Sequence, residues 1–145
     1  MPSSFRFLED VALADVAFEA RGESLSDLFV AAAEAVIDTM VNPSSVGVGW
    51  NRAIDHQNDD PASLLFDWLS DIVYLKDAEG VLFQAADAKV SEETSGVWRL
   101  QGTLIGEPID PQRHELRSDV KAVTKHLYEV QREGGGWRAR VVLDV

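Results

Sequence analysis

Two apolar stripes at helical spacing, set among stretches that alternate apolar and polar residues, constrain this chain more than any other feature. A stripe repeating every 3.6 residues cannot lie flat as a strand, and strict alternation cannot wrap into a one-faced helix. The first stripe is Leu25, Leu28, Phe29, Ala32, Ala33, Val36, Ile37 and Met40. Ser24 precedes it with Asp27 three residues on, a capping-box-like start, and Asn42-Pro43 ends it. The second stripe is Leu64, Leu65, Trp68, Leu69, Ile72 and Val73. Asp60-Pro61 supplies its cap and a first-turn proline, and the turn residues Asp77 to Gly80 close it. Both stripes are expected to face a core.

The remainder is expected to form strands. Phe5 to Glu9 is the first, and Ala14, Val16 and Phe18 alternate with Asp15, Ala17 and Glu19 in the second. Val46, Val48 and Trp50 mark a third. Val81 to Val90 is a mixed pattern, and Val97 to Ile105 places Trp98, Leu100 and Leu104 on one face. Gly106 to Asp119, with two prolines and several charges, reads as a long loop. His126–Arg132 and Trp137–Val145 flank Gly134-Gly135-Gly136, a hairpin turn. This order of elements predicts an α+β fold, two main helices packed on a mostly antiparallel sheet, as a single domain over residues 1–145.

Composition narrows the function. With 145 residues and 46% hydrophobic content the chain can bury a real core unaided. It has no cysteine, which excludes disulfides, thiolate metal sites and cysteine nucleophiles. No apolar run reaches the roughly 20 residues that span a bilayer. Met1 to Asp10 lacks a cationic start followed by an apolar run, so no membrane association and a cytoplasmic location are expected. The 13 basic and 25 acidic residues leave a net charge of −12. That charge repels phosphate backbones, so direct nucleic-acid binding is not expected, and it suits cations or a partner with a basic groove.

Catalytic signatures are missing: there is no Gly-rich phosphate loop, no G-x-S-x-G and no H-E-x-x-H. His56, His114 and His126 are scattered and read most simply as structural. The carboxylates are more informative. In the last strand Trp137, Ala139, Val141, Leu143 and Val145 form an apolar face, with Arg138, Arg140, Val142 and Asp144 on the other. Asp144 thus sits beside the terminal carboxylate, and Asp15 lies on the polar face of an early strand. If the two strands are neighbours, three carboxylate groups converge, a hard-oxygen donor set suited to calcium, magnesium or manganese. The alternative is that Asp144 pairs with Arg140 and Asp15 caps a bend. The segment Val120 to His126 places Lys121 near a histidine, suited to a phosphate or a partner, or else to plain solvation.

At these residues the chain resembles the archease family. Ala14-Asp15-Val16 followed by Gly22, Leu25, Leu28 and Phe29 is similar to that family's opening strand and first helix, and Leu64 to Leu69 to its second. Gly106-Glu107-Pro108, Arg113-His114, Lys121-Ala122-Val123-Thr124 and Asp144-Val145 complete the ordered pattern. Two departures stand out. Ala12-Leu13 occupies the place of the family's His-Thr, and Lys125 that of the tyrosine in its Thr-Tyr-His. The resemblance implies an accessory protein that does no chemistry itself. It would promote guanylylation of the active-site histidine of the RNA ligase of tRNA splicing, and so allow multiple turnovers. It also implies a metal site at Asp15, Asp144 and Val145, the last through a backbone or terminal oxygen, with calcium as the usual ion. Lys121, Arg113, His114 and His126 are then the candidates to face the partner. A general chaperone or interaction module and a small metal-dependent hydrolase using Asp15 and Asp144 are the competing expectations.

Overall fold

The computed structural model describes residues 3–8 and 15–145. Glu9 and Ala14, at the ends of the first two expected strands, and Ala12 and Leu13 lie outside the described residues. The elements in order are β1 (Ser3–Leu8), β2 (Val16–Gly22), α1 (Leu25–Met40), a 3-10 turn (Pro43–Ser45), β3 (Trp50–Asn58), α2 (Pro61–Glu79), β4 (Val81–Thr94), β5 (Val97–Pro108), β6 (Ala122–Glu133) and β7 (Gly136–Asp144). The α+β class and both helices are as the sequence predicts. Ser24 caps α1 by accepting a bond from the Asp27 N–H at 3.1 Å, and Asp60 caps α2 by accepting from Ala62. Gly80, at φ 61°, ends α2 in the left-handed region that glycine adopts without strain.

The strands divide into two antiparallel sheets, β1-β2-β7-β6 and β3-β5-β4. The reason lies in α1. Leu25, Leu28 and Phe29, the alanines 31, 32, 33 and 35, and Val36, Ile37 and Met40 are all buried, so nearly every side of this helix needs cover. Strands from both sheets pack against it, and α2 supplies further cover. One core results, in which Phe18, Phe29, Trp68, Phe83, Leu100 and Leu104 are fully buried.

Three strand expectations need correction. The third strand does not span Val46 to Trp50; it begins at Trp50 and runs to Asn58. Asn42 folds the chain into the 3-10 turn by accepting from the Ser44 N–H, Val46 is buried where it caps that turn, and Val48 is 62% exposed. The real β3 is mostly polar because it is an edge strand in which Ile54 alone is buried. The mixed pattern from Val81 has its cause in a register shift between Phe83 and Ala85, which moves the inward positions across the strand. The long loop is displaced along the chain, because Gly106–Pro108 belong to β5 and β6 starts at Ala122, which leaves residues 109–121 between them. A Cβ at Gly106 would lie 1.9 Å from the Leu82 carbonyl, so the close approach of β4 and β5 requires glycine there.

The loop from 109 to 121 is strapped to the end of α1. The Arg117 and Ser118 N–H groups donate to the Met40 and Thr39 carbonyls, and Asn42 donates to Glu115. Helix ends leave carbonyls without helical partners, and this loop satisfies two of them. Arg117 also bonds Asp38 at 2.9 Å.

Candidate functional site

The site is set by one register. β2 and β7 run antiparallel with Val16 opposite Leu143 and Ala17 opposite Val142. Val16, Phe18, Val141 and Leu143 pack in the core; on the opposite face Ala17, Glu19 and Val142 are also buried, and exposure begins only at the half-buried Asp15 and Asp144. Asp15 and Asp144 each lie one residue beyond the last ladder pair, Val16 and Leu143, on the same side of their strands. β6 lies against the other edge of β7, and the Lys121 N–H donates to the Asp144 carbonyl at 2.7 Å. Asp15, Asp144, Val145 and Lys121 therefore share one end of the four-stranded sheet.

Arg140 sits on the same face as Asp144 but four residues away, about 13 Å along an extended strand. Its Nε donates to the Leu127 carbonyl at 2.9 Å and its other end faces Glu129 at 3.8 Å. Among the described residues Arg140 makes no ion pair with Asp144. The donors at this end are hard oxygens, a chemistry that fits calcium or magnesium and not a soft metal. Among the described residues, no group of three or more His, Cys, Asp or Glu side chains is placed to hold a metal; the arrangement here offers two carboxylates and main-chain oxygens.

Beyond the carboxylate end, the outward face carries a lattice of charge. Glu19 is nearly buried, and its carboxylate faces Arg6, Arg21 and Arg138 at 3.0–3.4 Å. Burial pushes its pKa up, but the three guanidinium groups, led by Arg21, outweigh burial and hold it below the ordinary value. Arg138 also bridges Glu129 and Glu133, each at 3.0 Å.

The candidates expected to face a partner separate into two groups. Lys121, Arg113 and His126 are exposed. His114 is not: its ring is buried, Nδ1 accepts from the Asp110 N–H at 2.9 Å, and Nε2 donates to Glu107 at 2.7 Å. Arg113 bonds the same carboxylate at 2.9 Å. Glu107 also accepts from the Gly47 N–H at 2.7 Å, so this cluster ties β5 to the turn before β3. Hydrogen bonds from His114 first, then Gly47 and Arg113, pull the Glu107 pKa from 4.5 down to about 2. A carboxylate with a depressed folded pKa adds stability above its unfolded value, and that stability is lost as pH falls through the folded value. Wild-type protein is therefore expected to lose stability between about pH 4.5 and 2 more steeply than Glu107→Gln. Acid unfolding followed by circular dichroism on both proteins checks this.

Two features of the site were missed by sequence reading. Lys76 is buried in the last turn of α2, with Nζ bonded to Asp119 at 2.6 Å and the Val120 carbonyl at 2.7 Å. Desolvation alone would lower its pKa, but Asp119 and Asp77 outweigh it and raise the value. It anchors the backbone that leads into Lys121. The signal was present: Lys76 falls four residues after Ile72, on the helix's apolar stripe, where a lysine needs a buried partner. The second is a bulge in β6. Thr124 pairs with Val142 and Glu129 with Arg140, so four β6 residues, Lys125 to Tyr128, face only Val141. Leu127 in this bulge has φ 56°, the one non-glycine residue at positive φ among the described residues. Holding leucine there costs about 1–2 kcal/mol.

The fold and this sheet end define a small two-sheet α+β protein that presents carboxylates and a lysine together. Residues 5–145 match the model of the archease protein family. The protein archease of Methanothermobacter thermautotrophicus is 39% identical over 132 residues, covering 91% of this chain and 93% of that one. That of Methanopyrus kandleri is 36% identical, covering 91% and 94%. A solution structure of a Methanobacterium thermoautotrophicum protein superposes with a TM-score of 0.81 at 35% identity, covering 97% of this chain and 98% of that chain. A crystal structure from Thermotoga maritima, described as an archease and possible chaperone, has a TM-score of 0.61 at 18% identity and shares the fold, covering 92% of this chain and 93% of that chain. The chain belongs to the archease family. Among the described residues, no helix is long and apolar enough to cross a membrane.

Proposed function

We propose that this protein activates the RNA ligase of tRNA splicing, promoting guanylylation of the ligase histidine and release for further turnovers, and performs no bond chemistry of its own. The observation that supports this reading is the meeting of Asp15, Asp144 and Lys121 at one sheet end in a chain of the archease family. The ligase must hold RNA and a nucleotide, so its cleft is expected to be basic. A chain of net charge −12 is steered toward such a cleft. Asp15, Asp144 and a main-chain oxygen of Val145 would hold a hard divalent cation, calcium by family resemblance. Bound there, such an ion would supply positive charge for a phosphate. The chain's own groups orient the encounter: the carboxylates meet the basic cleft, and Lys121, fixed through its backbone to Asp144, offers a point charge to a phosphate.

Ligation by the cognate ligase, compared under single- and multiple-turnover conditions with and without this protein, tests the reading. Stimulation confined to multiple turnover and to the guanylylation step is expected; no stimulation of either overturns it. Lys121→Ala is expected to reduce that stimulation with a stability change within about 0.5 kcal/mol, since the side chain is exposed. Thermal melts and turnover assays on one preparation decide this.

A further inference from the structure

We infer that Leu127 is the apolar contact by which this chain seats on its protein partner, and that the β6 bulge exists to present it. The argument starts from the backbone. Gly80, Gly96, Gly134 and Gly135 occupy the other positive-φ positions among the described residues, two of them in the hairpin that follows this bulge. Folding alone favours glycine or asparagine at such a position. Here the chain places a leucine, and leaves it 44% exposed, where it contributes little to the core. A strained residue with no folding benefit points to a use outside the fold.

The bulge is fixed on three sides. Arg140 donates to the Leu127 carbonyl at 2.9 Å. The Tyr128 hydroxyl donates to the Ala62 carbonyl at 2.6 Å, and its ring meets Phe66 edge-on at 5.4 Å. Lys125 Nζ stands 5.1 Å from the centre of the Phe66 ring. A partly exposed apolar side chain on a backbone already held in place costs less to order on binding. A bulge on an edge strand also blocks strand addition, but glycine would serve that purpose equally well.

The partner this fits is a protein surface with an apolar socket, acidic at its rim where the exposed Lys125 stands two residues before Leu127. Identifying that partner as the RNA ligase rests on the reading above. An RNA contact is disfavoured, because leucine neutralises no phosphate.

The test compares wild type, Leu127→Gly and Leu127→Met in three measurements: calorimetric binding to the ligase, the concentration giving half-maximal ligation, and the thermal melt. Leu127→Gly is expected to melt at or above the wild-type temperature, because glycine relieves the backbone, yet to bind at least about tenfold more weakly. Leu127→Met, which keeps an apolar side chain, is expected to retain binding. If Leu127→Gly binds and stimulates at wild-type concentrations, this inference falls and the activator reading stands. If wild type neither binds nor stimulates the ligase, both fall. If Leu127→Gly weakens the chain's affinity for free RNA by the same factor, the bulge is an RNA contact and the inference is overturned.

Discussion

Asp15→Ala is expected to abolish calcium binding measured by calorimetric titration, and removal of Asp144 and Val145 is expected to do the same by an independent route. The two changes touch different strands, β2's entry and β7's end, and converge because Val16 and Leu143 are ladder partners. The truncation also removes one partly buried apolar side chain, Val145, which packs against the core. That loss is at most about 1.5–3 kcal/mol, so the fold should survive. Both variants should lose ligase stimulation together with the ion. A truncated chain that binds calcium as tightly as the full one would show that the ion sits elsewhere and that Asp144 serves only the sheet end.

Trp68→Ala is expected to destabilise the protein by about 3–5 kcal/mol, lowering the melting temperature by roughly 10–20 °C. Trp68 is fully buried in α2, and its indole N–H donates to the Phe29 carbonyl on α1 at 3.0 Å. Its ring lies over Gly102 of β5, where an added Cβ would come within 2.7 Å. One side chain thus joins both helices to the three-stranded sheet. Truncation leaves a cavity and removes the indole's hydrogen bond, while the Phe29 carbonyl keeps its helical partner. Trp68→Phe should fall between, because it keeps most of the volume and loses the hydrogen bond. Thermal and denaturant unfolding of the three proteins measures the order; a Trp68→Ala protein within about 1 kcal/mol of wild type would contradict the packing described here.

What could be read from the residues alone was whatever local chemistry decides. The capped helices were legible because Ser24 and Asp60 announce their starts and the apolar stripes fix the faces. The last hairpin was legible from the glycines at 134–136 and the strict alternation after them. The third strand was misplaced because Val46 and Val48 alternate by chance in a turn that Asn42 and Pro43 dictate, while the true edge strand is polar and carries little periodic signal. At the site, Asp15 and Asp144 were identifiable as outward carboxylates, but their meeting depends on which strands pair, and alternation carries no information about neighbours. His114 looked available because nothing local says that Glu107 and Asp110 consume both ring nitrogens. The left-handed Leu127 left no trace either: its conformation is imposed by the register on its two sides.

The pairing of β2 with β7 brings together strands from nearly opposite ends of the chain. Such a contact closes a loop of almost the whole sequence, and long loops are the slowest to form. During synthesis, therefore, the three-stranded sheet has its strands and both helices long before β7 exists. The four-stranded sheet must wait, and with it the sheet end that carries Asp15 and Asp144. Until β7 joins, β2 and β6 have no strand between them, so the surface of that sheet is the last part of the fold to be completed.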